Sequence, residues 1–264
     1  MILKLLAFCF IVSVSQQESL NKTGEIKGTF ESIYSDNIQF IYAVNDQNNL
    51  IKLNFNGDTL YTFEDKSFPV YHVDPLNALK VLIYDTRQNI AAFLDKTLAP
   101  INNAIRFDDL GIPIARAVCS SRDNRFWVFD ENKQELKKYD QNSQEVSNSG
   151  NMTLVTGKNI QPIFLKEENS RVYMLDSLQG VFQFDHLGTF LFNFKKIQAR
   201  KIVVRGDKII FLKNKELYLY DMILLEKSKV ILPKGVLVKD FTISKQNLFV
   251  LTEQNIQIYR SALE

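Results

Sequence analysis

The chain has 264 residues, and 45% of them are hydrophobic, enough for a full core and too many for a disordered polymer. Ten Gly and six Pro exclude a collagen-like or low-complexity chain. With 32 Lys and Arg against 30 Asp and Glu there is no basic excess, so nucleic acid is not an expected partner.

At the N-terminus Lys4 heads an apolar run over residues 5–12, too short to span a bilayer, and Ser13-Val14-Ser15 offers small residues for cleavage. Residues 1–15 are therefore expected to be a signal peptide cut before Gln16, with residues 16–264 as a single exported domain. Cys9 is a poor lipoprotein site, because Phe8 before it is bulky and the apolar run ahead of it is only a few residues long. Without Cys9, Cys119 is the sole cysteine, and no internal disulfide can form. The apolar run around Cys119 predicts a buried thiol rather than a nucleophile.

From Gln39 onward one pattern occurs six times. An apolar run ends near a polar residue, and after a short hydrophilic turn a second run closes on a large apolar residue. The polar residues are Asn45, Asp85, Asp130, Asp176, Lys213 and Thr252, spaced on average about 41 residues apart. The closing residues are Leu53, Phe93, Tyr139, Phe184, Tyr220 and Tyr259. Runs such as Phe126-Trp-Val-Phe and Val172-Tyr-Met-Leu are apolar on both alternating faces, as a strand covered by a neighbouring sheet on each side requires. Inner strands are expected at 30–34, 70–74, 115–119, 160–165, 201–205 and 239–243, and outer strands at 58–63, 98–101, 189–194 and 226–232. No segment keeps a helical period over three turns.

This layout resembles an all-β, six-bladed β-propeller of four-stranded antiparallel blades. It is similar to the NHL-type and related exported propellers in the blade core seen at Phe126 to Asp140 and Val172 to Asp185. The sixth repeat runs out after Tyr259, while residues 19–29 precede the first inner strand, so an N-terminal strand is expected to complete the last blade. The chain lacks a Trp-Asp dipeptide, Tyr-Trp-Thr-Asp, a paired-glycine kelch signature and an Asp-box, so the resemblance is to a fold and transfers no functional residues.

The acidic residues have an ordinary reading and a chemical one. Asp85, Asp130 and Asp176, with Asp140, Asp185 and Asp221, stand where Asp caps a turn through its own backbone. A metal-dependent hydrolase or lactonase with its site at the axis would draw on Glu31, His72, Asp74 and Asp240. His72 and His186 have no partner at metal-ligand spacing, and no nucleophile elbow or phosphate loop occurs, so neither a metal nor a cofactor is expected. The pairs Lys137-Lys138 and Lys195-Lys196 are read as solvated positions.

One propeller face is expected to gather Arg87, Arg116, Arg200, Lys201 and Lys239 among Asp85, Asp130 and Asp176, a mixed-charge surface suited to a protein or glycan partner. Asn21-Lys-Thr and Asn151-Met-Thr are N-glycan sequons; Asp58-Thr-Leu and Asp176-Ser-Leu resemble bacterial O-glycan acceptors. The functional expectation is a non-catalytic interaction scaffold in the bacterial periplasm, binding a protein of the cell envelope. A metal-dependent hydrolase and a glycan-binding module are the alternatives.

Overall fold

The computed structural model describes residues 20–38 and 40–260; the expected signal peptide, residues 1–15, lies outside them. Strand β1 (Lys22–Lys27) comes first. Blade one follows as β2 (Ser32–Ser35), β3 (Ile41–Val44), β4 (Leu50–Leu53) and β5 (Thr59–Phe63). Blade two is β6 (His72–Asp74), β7 (Val81–Asp85), β8 (Ile90–Leu94) and β9 (Ile105–Arg106). Blade three is β10 (Ala115–Ser120), β11 (Phe126–Asp130), β12 (Glu135–Tyr139) and β13 (Glu145–Asn148). Blade four is β14 (Pro162–Glu168), β15 (Arg171–Asp176), β16 (Gly180–Phe184) and β17 (Phe190–Phe194). Blade five is β18 (Lys201–Arg205), β19 (Lys208–Lys213), β20 (Glu216–Asp221) and β21 (Glu226–Lys229). The last blade joins β22 (Asp240–Ser244), β23 (Asn247–Leu251) and β24 (Asn255–Arg260) to β1.

The chain is thus a six-bladed β-propeller of four-stranded antiparallel blades. Its closure is the expected one: β1 pairs with β24, Gly24 opposite Ile258 and Ile26 opposite Ile256, so the N-terminal segment covers an edge that would otherwise be open. Apolar side chains form six clusters, one in each gap between neighbouring blades. Tyr42, Val73 and Ile83 fill the gap between blades one and two, and Phe211, Tyr173 and Ile202 that between four and five. This is why β7 and β11 are buried at every residue. Each large side chain so enclosed contributes roughly 1.5–3 kcal/mol relative to exposure.

The second blade departs from expectation. Its outer strand lies at Ile105–Arg106, and Pro100 makes only an isolated bridge to Leu94 in the segment expected to pair. Proline has no N–H to donate, so the ladder cannot propagate there. Two short helical turns interrupt the strands, a 3-10 turn at Phe107–Leu110 and α1 (Met152–Thr156). Asn151 caps α1, accepting from the Leu154 amide, and its side-chain nitrogen donates to the Lys133 carbonyl, so the side chain of this sequon is already engaged.

The solvated reading of Lys137 and Lys138 is overturned, since both are buried. Lys137 Nζ lies 3.0 Å from Asp130 and 3.4 Å from Glu135; Lys138 Nζ lies 2.8 Å from Asp123 and over the Trp127 ring. Their aliphatic stems cover apolar surface while the ammonium groups find carboxylates.

Candidate functional site

The inner strands begin on one face, here the upper face, and end on the lower one. The turns between second and third strands also lie on the upper face. The aspartates that open these turns are committed to them. Asp85 Oδ1 accepts from the Arg87 amide at 2.9 Å, and Asp176 Oδ1 from the Leu178 and Gln179 amides at 2.8 and 2.9 Å.

The axis is filled by side chains. Near its upper end Lys201 Nζ donates to Asp240 Oδ2 at 2.7 Å and to the Ile33 carbonyl, and it stands over the Tyr34 ring. Asp240 also accepts from the Ile33 and Phe241 amides, both at 2.8 Å. Lower down, Lys166 of blade four reaches Asp74 of blade two at 2.9 Å, and Asp74 accepts the Ser120 amide at 2.8 Å. At the level of Lys201 and Asp240, His72 is held edge-on by Tyr34 and Phe164. Burial lowers its pKa to about 4, with Asp74 opposing the shift, so the imidazole is neutral at neutral pH. The remaining axial cavity is about 50 Å³.

The four residues considered for a metal are not brought together. Asp74 and Asp240 each hold a lysine, His72 is wedged between rings, and Glu31 is a half-exposed partner of Lys239 at 2.9 Å. Among the described residues no three His, Cys, Asp or Glu side chains are grouped to hold a metal ion. This donor set does not fit a catalytic cation, which needs several carboxylates free of ammonium groups. Cys119 is buried, and burial pushes its thiol pKa well above the ordinary value, away from thiolate reactivity.

The cationic side chains separate into two groups. Lys201 points into the axis, and Lys239 is tied to Glu31 across the junction of blades six and one. Arg200 is exposed. Arg87 and Arg116 flank a cavity of about 200 Å³ at the upper mouth, between blades two, three and four. It is lined by Tyr71, His72, Tyr84, Arg116, Ile163 and Phe164. Arg87 stacks on Tyr71 with its guanidinium carbon 4.1 Å from the ring centre.

The local sequence explains how Arg116 comes to be there. Ala115 pairs with Asp130 but Ala117 with Phe129, which leaves Arg116 as the extra residue of a β-bulge. Ile163 is the extra residue of the same irregularity in β14 of the next blade. A bulge swings its unpaired residue out of the ladder and re-aims it. The bulge at Arg116 is pinned: the Tyr84 hydroxyl donates to the Ala115 carbonyl, and Asn89 Oδ1 accepts the Ala115 amide at 2.9 Å. Arg116 itself is 3.5 Å from Glu131 and 41% exposed, which leaves most of its donor fork free. Sequence reasoning selected Arg87 and Arg116 but missed Tyr71, Ile163 and Phe164. Tyr71 was legible as the neighbour of His72 on an inner strand; the bulges carry no sequence signature.

No protein-family model matches the chain, and no curated protein matches it in sequence. Among solved structures the chain is similar to a streptogramin B lyase, at 11% identity and a TM-score of 0.60, over 91% of this chain and 87% of that one. It is also similar to the WD40 domain of Pan2 from Neurospora crassa, at 13% identity and a TM-score of 0.57, over 85% and 73% of the two chains. A computationally designed protein, Ika8, matches at 9% identity and a TM-score of 0.52, over 88% and 70%. At such identities the likeness is one of fold. Among the described residues no helix is long and apolar enough to cross a membrane.

Proposed function

We propose that this propeller is an exported, non-catalytic scaffold that binds a protein of the bacterial cell envelope through its upper face, at the cavity between blades two, three and four. The observation that carries this reading is the pair of bulged residues on adjacent inner strands, Arg116 and Ile163, set at the rim of a cavity floored by aromatic rings. The bulge at Arg116 turns an Arg outward beside the Tyr71 ring, and Arg and Tyr are enriched among the residues that anchor protein partners. Arg87 on Tyr71 extends the same patch. Export is supported by the Lys4 head and the short apolar run after it. The occupation of Asp74 and Asp240 by lysines weighs against the hydrolase reading.

The test is capture of partners from envelope extract with the wild-type chain and with Arg87→Glu/Arg116→Glu. A stoichiometric partner lost in the double variant, with an unchanged melt, supports the reading. The residual binding should also be less salt-sensitive, since the lost contacts are the ones that ions screen. Equal capture by both proteins refutes the choice of face. Micromolar Ca²⁺ or Zn²⁺ raising the melting temperature would favour the hydrolase instead.

A further inference from the structure

At the lower end of the axis one guanidinium has no carboxylate in contact with it. Four carboxylates line or adjoin the axial cavity; Glu167 is held by the Ser121 hydroxyl, the Arg122 amide and the Trp127 indole, and the other three each have a cation. Asp74 has Lys166 at 2.9 Å, Asp240 has Lys201 at 2.7 Å, and Glu168 has Arg122 at 3.3 Å. Arg205, the last residue of β18, is a fourth cation in the cavity wall, and no carboxylate lies within ion-pair distance of it. Its guanidinium donates only to neutral oxygens, Asn37 Oδ1 at 3.2 Å and the Ile243 carbonyl, and its Nε is buried with no partner. Arg does not shed its proton in a protein, so it cannot escape an unpaired, half-buried position by becoming neutral as a lysine does.

We infer that the lower mouth of the axis is an anion site, in which Arg205 receives a single carboxylate group. The class of anion follows from charge and shape. With Glu167 and Glu168 close by, a single negative charge is repelled less than a phosphate dianion, which favours a carboxylate. The guanidinium fork presents parallel donors to two oxygens in a plane. The cavity beyond it, about 50 Å³, accommodates the carboxylate and little more. Glu168 opposes the anion through space, and its pairing with Arg122 limits that opposition. The carboxylate is either a small free acid or the side chain or C-terminus of a partner polypeptide; both present the same group to Arg205. The site is on the face opposite Arg87 and Arg116 and stands independently of the partner surface proposed there.

The experiment is calorimetric titration, with thermal melting, of the wild-type chain with acetate against chloride and inorganic phosphate at equal ionic strength. A short peptide with a free C-terminus and its amidated twin form the second arm. Acetate should bind and raise the melting temperature where chloride does not. Arg205→Gln should weaken that binding by about tenfold or more, as expected for loss of a charge-assisted bidentate contact. Glu168→Gln should strengthen it several-fold, because the competing carboxylate is gone; this variant decides the question if Arg205→Gln fails to fold. Tighter binding of the free peptide than of acetate, absent in the amidated twin, assigns the site to a polypeptide terminus. Binding of acetate alone assigns it to a small acid. Phosphate binding in preference to acetate, equal responses to acetate and chloride, or a response unchanged in either variant overturns the inference.

Discussion

Two lysine–aspartate pairs stand at the axis, and they join different parts of the ring. Lys201 and Asp240 stand on neighbouring blades five and six, and the same ammonium reaches the Ile33 carbonyl of blade one, so one charge links three successive blades at the closure. Further bonds reinforce that junction: the Ser35 and Thr242 hydroxyls meet, and Ser244 donates to the Asp36 carbonyl. Lys166 and Asp74 instead bridge blades four and two, skipping blade three except for the Ser120 amide. Lys201 is the more enclosed cation, 12% exposed against 22% for Lys166. Burial pulls the Lys201 pKa down and Asp240 resists the pull. The difference teaches that a ring whose last blade is assembled from both ends of the chain is fastened at that blade by polar contacts as well as by apolar burial.

The largest expected effect comes from removing the closing strand. Deleting residues 20–29 exposes the edge of β24 and takes Ile26 out of its cluster with Phe249 and Ile256. The loss should be on the order of 5 kcal/mol or more, comparable with the whole stability of a domain. A sharp fall in melting temperature, with self-association in size-exclusion chromatography, is the expected result. Next come the two carboxylates. Asp240→Ala should cost about 3–5 kcal/mol, because it strands a buried lysine and two backbone amides. Asp74→Ala should cost less, since the more exposed Lys166 has a route to water. Urea titration of both variants checks the order, and a costlier Asp74→Ala would break the distinction between closure and bridge.

His72 lies in the same axial region as the two pairs and feels both ammonium groups. Its folded pKa is about 4 against an ordinary 6.5, lowered first by burial, while Lys201 and Lys166 add to the shift and Asp74 resists it. The unfolded chain therefore takes up a proton near pH 6.5 that the folded chain refuses until about pH 4. Stability from this source is full above pH 6.5 and falls as pH drops through that window, by on the order of 3 kcal/mol at its lower end. His72→Phe keeps a ring between Tyr34 and Phe164 and should flatten the profile between pH 6.5 and 4. An unchanged slope in the variant would assign the acid sensitivity to the carboxylates.

The architecture was legible because the second strands carry apolar residues on both faces at a steady interval, and only stacked blades bury both faces of a strand. The closure was legible from what the sixth repeat lacked. The axis was not. Lys166 meets Asp74 across 92 residues of chain, and no local pattern marks such a pair. Lys137 and Lys138 carry charges that advertise a surface, yet their stems lie in the wall and their ammonium groups reach Asp130 and Asp123. Bulges are equally silent in the sequence. Leu60, Val146 and Leu191 are each the unpaired residue of an outer strand, and so stand exposed where a regular strand would alternate them inward.

The smallest effect is expected at the upper mouth, where the side chains proposed to bind a partner carry little of the fold. Arg87 is 64% exposed and only 3.9 Å from Asp85, whose carboxylate is already satisfied by the Arg87 and Gln88 amides and the Gln88 side chain. Arg116 projects from its bulge, and the bonds that fix the bulge run through Ala115, Tyr84 and Asn89 instead of through the guanidinium. Replacing either Arg with Glu loses a solvent-screened contact and sets a like charge beside Asp85 or Glu131, a cost of about 1 kcal/mol or less per site. The melts of the single variants should therefore lie within a few degrees of wild type, far from the fall expected for Asp240→Ala. If Arg116→Glu instead melts as low as Asp240→Ala, the guanidinium is part of what holds blades three and four together. The upper mouth would then belong with the axis as a structural element, and the partner surface would have to lie elsewhere.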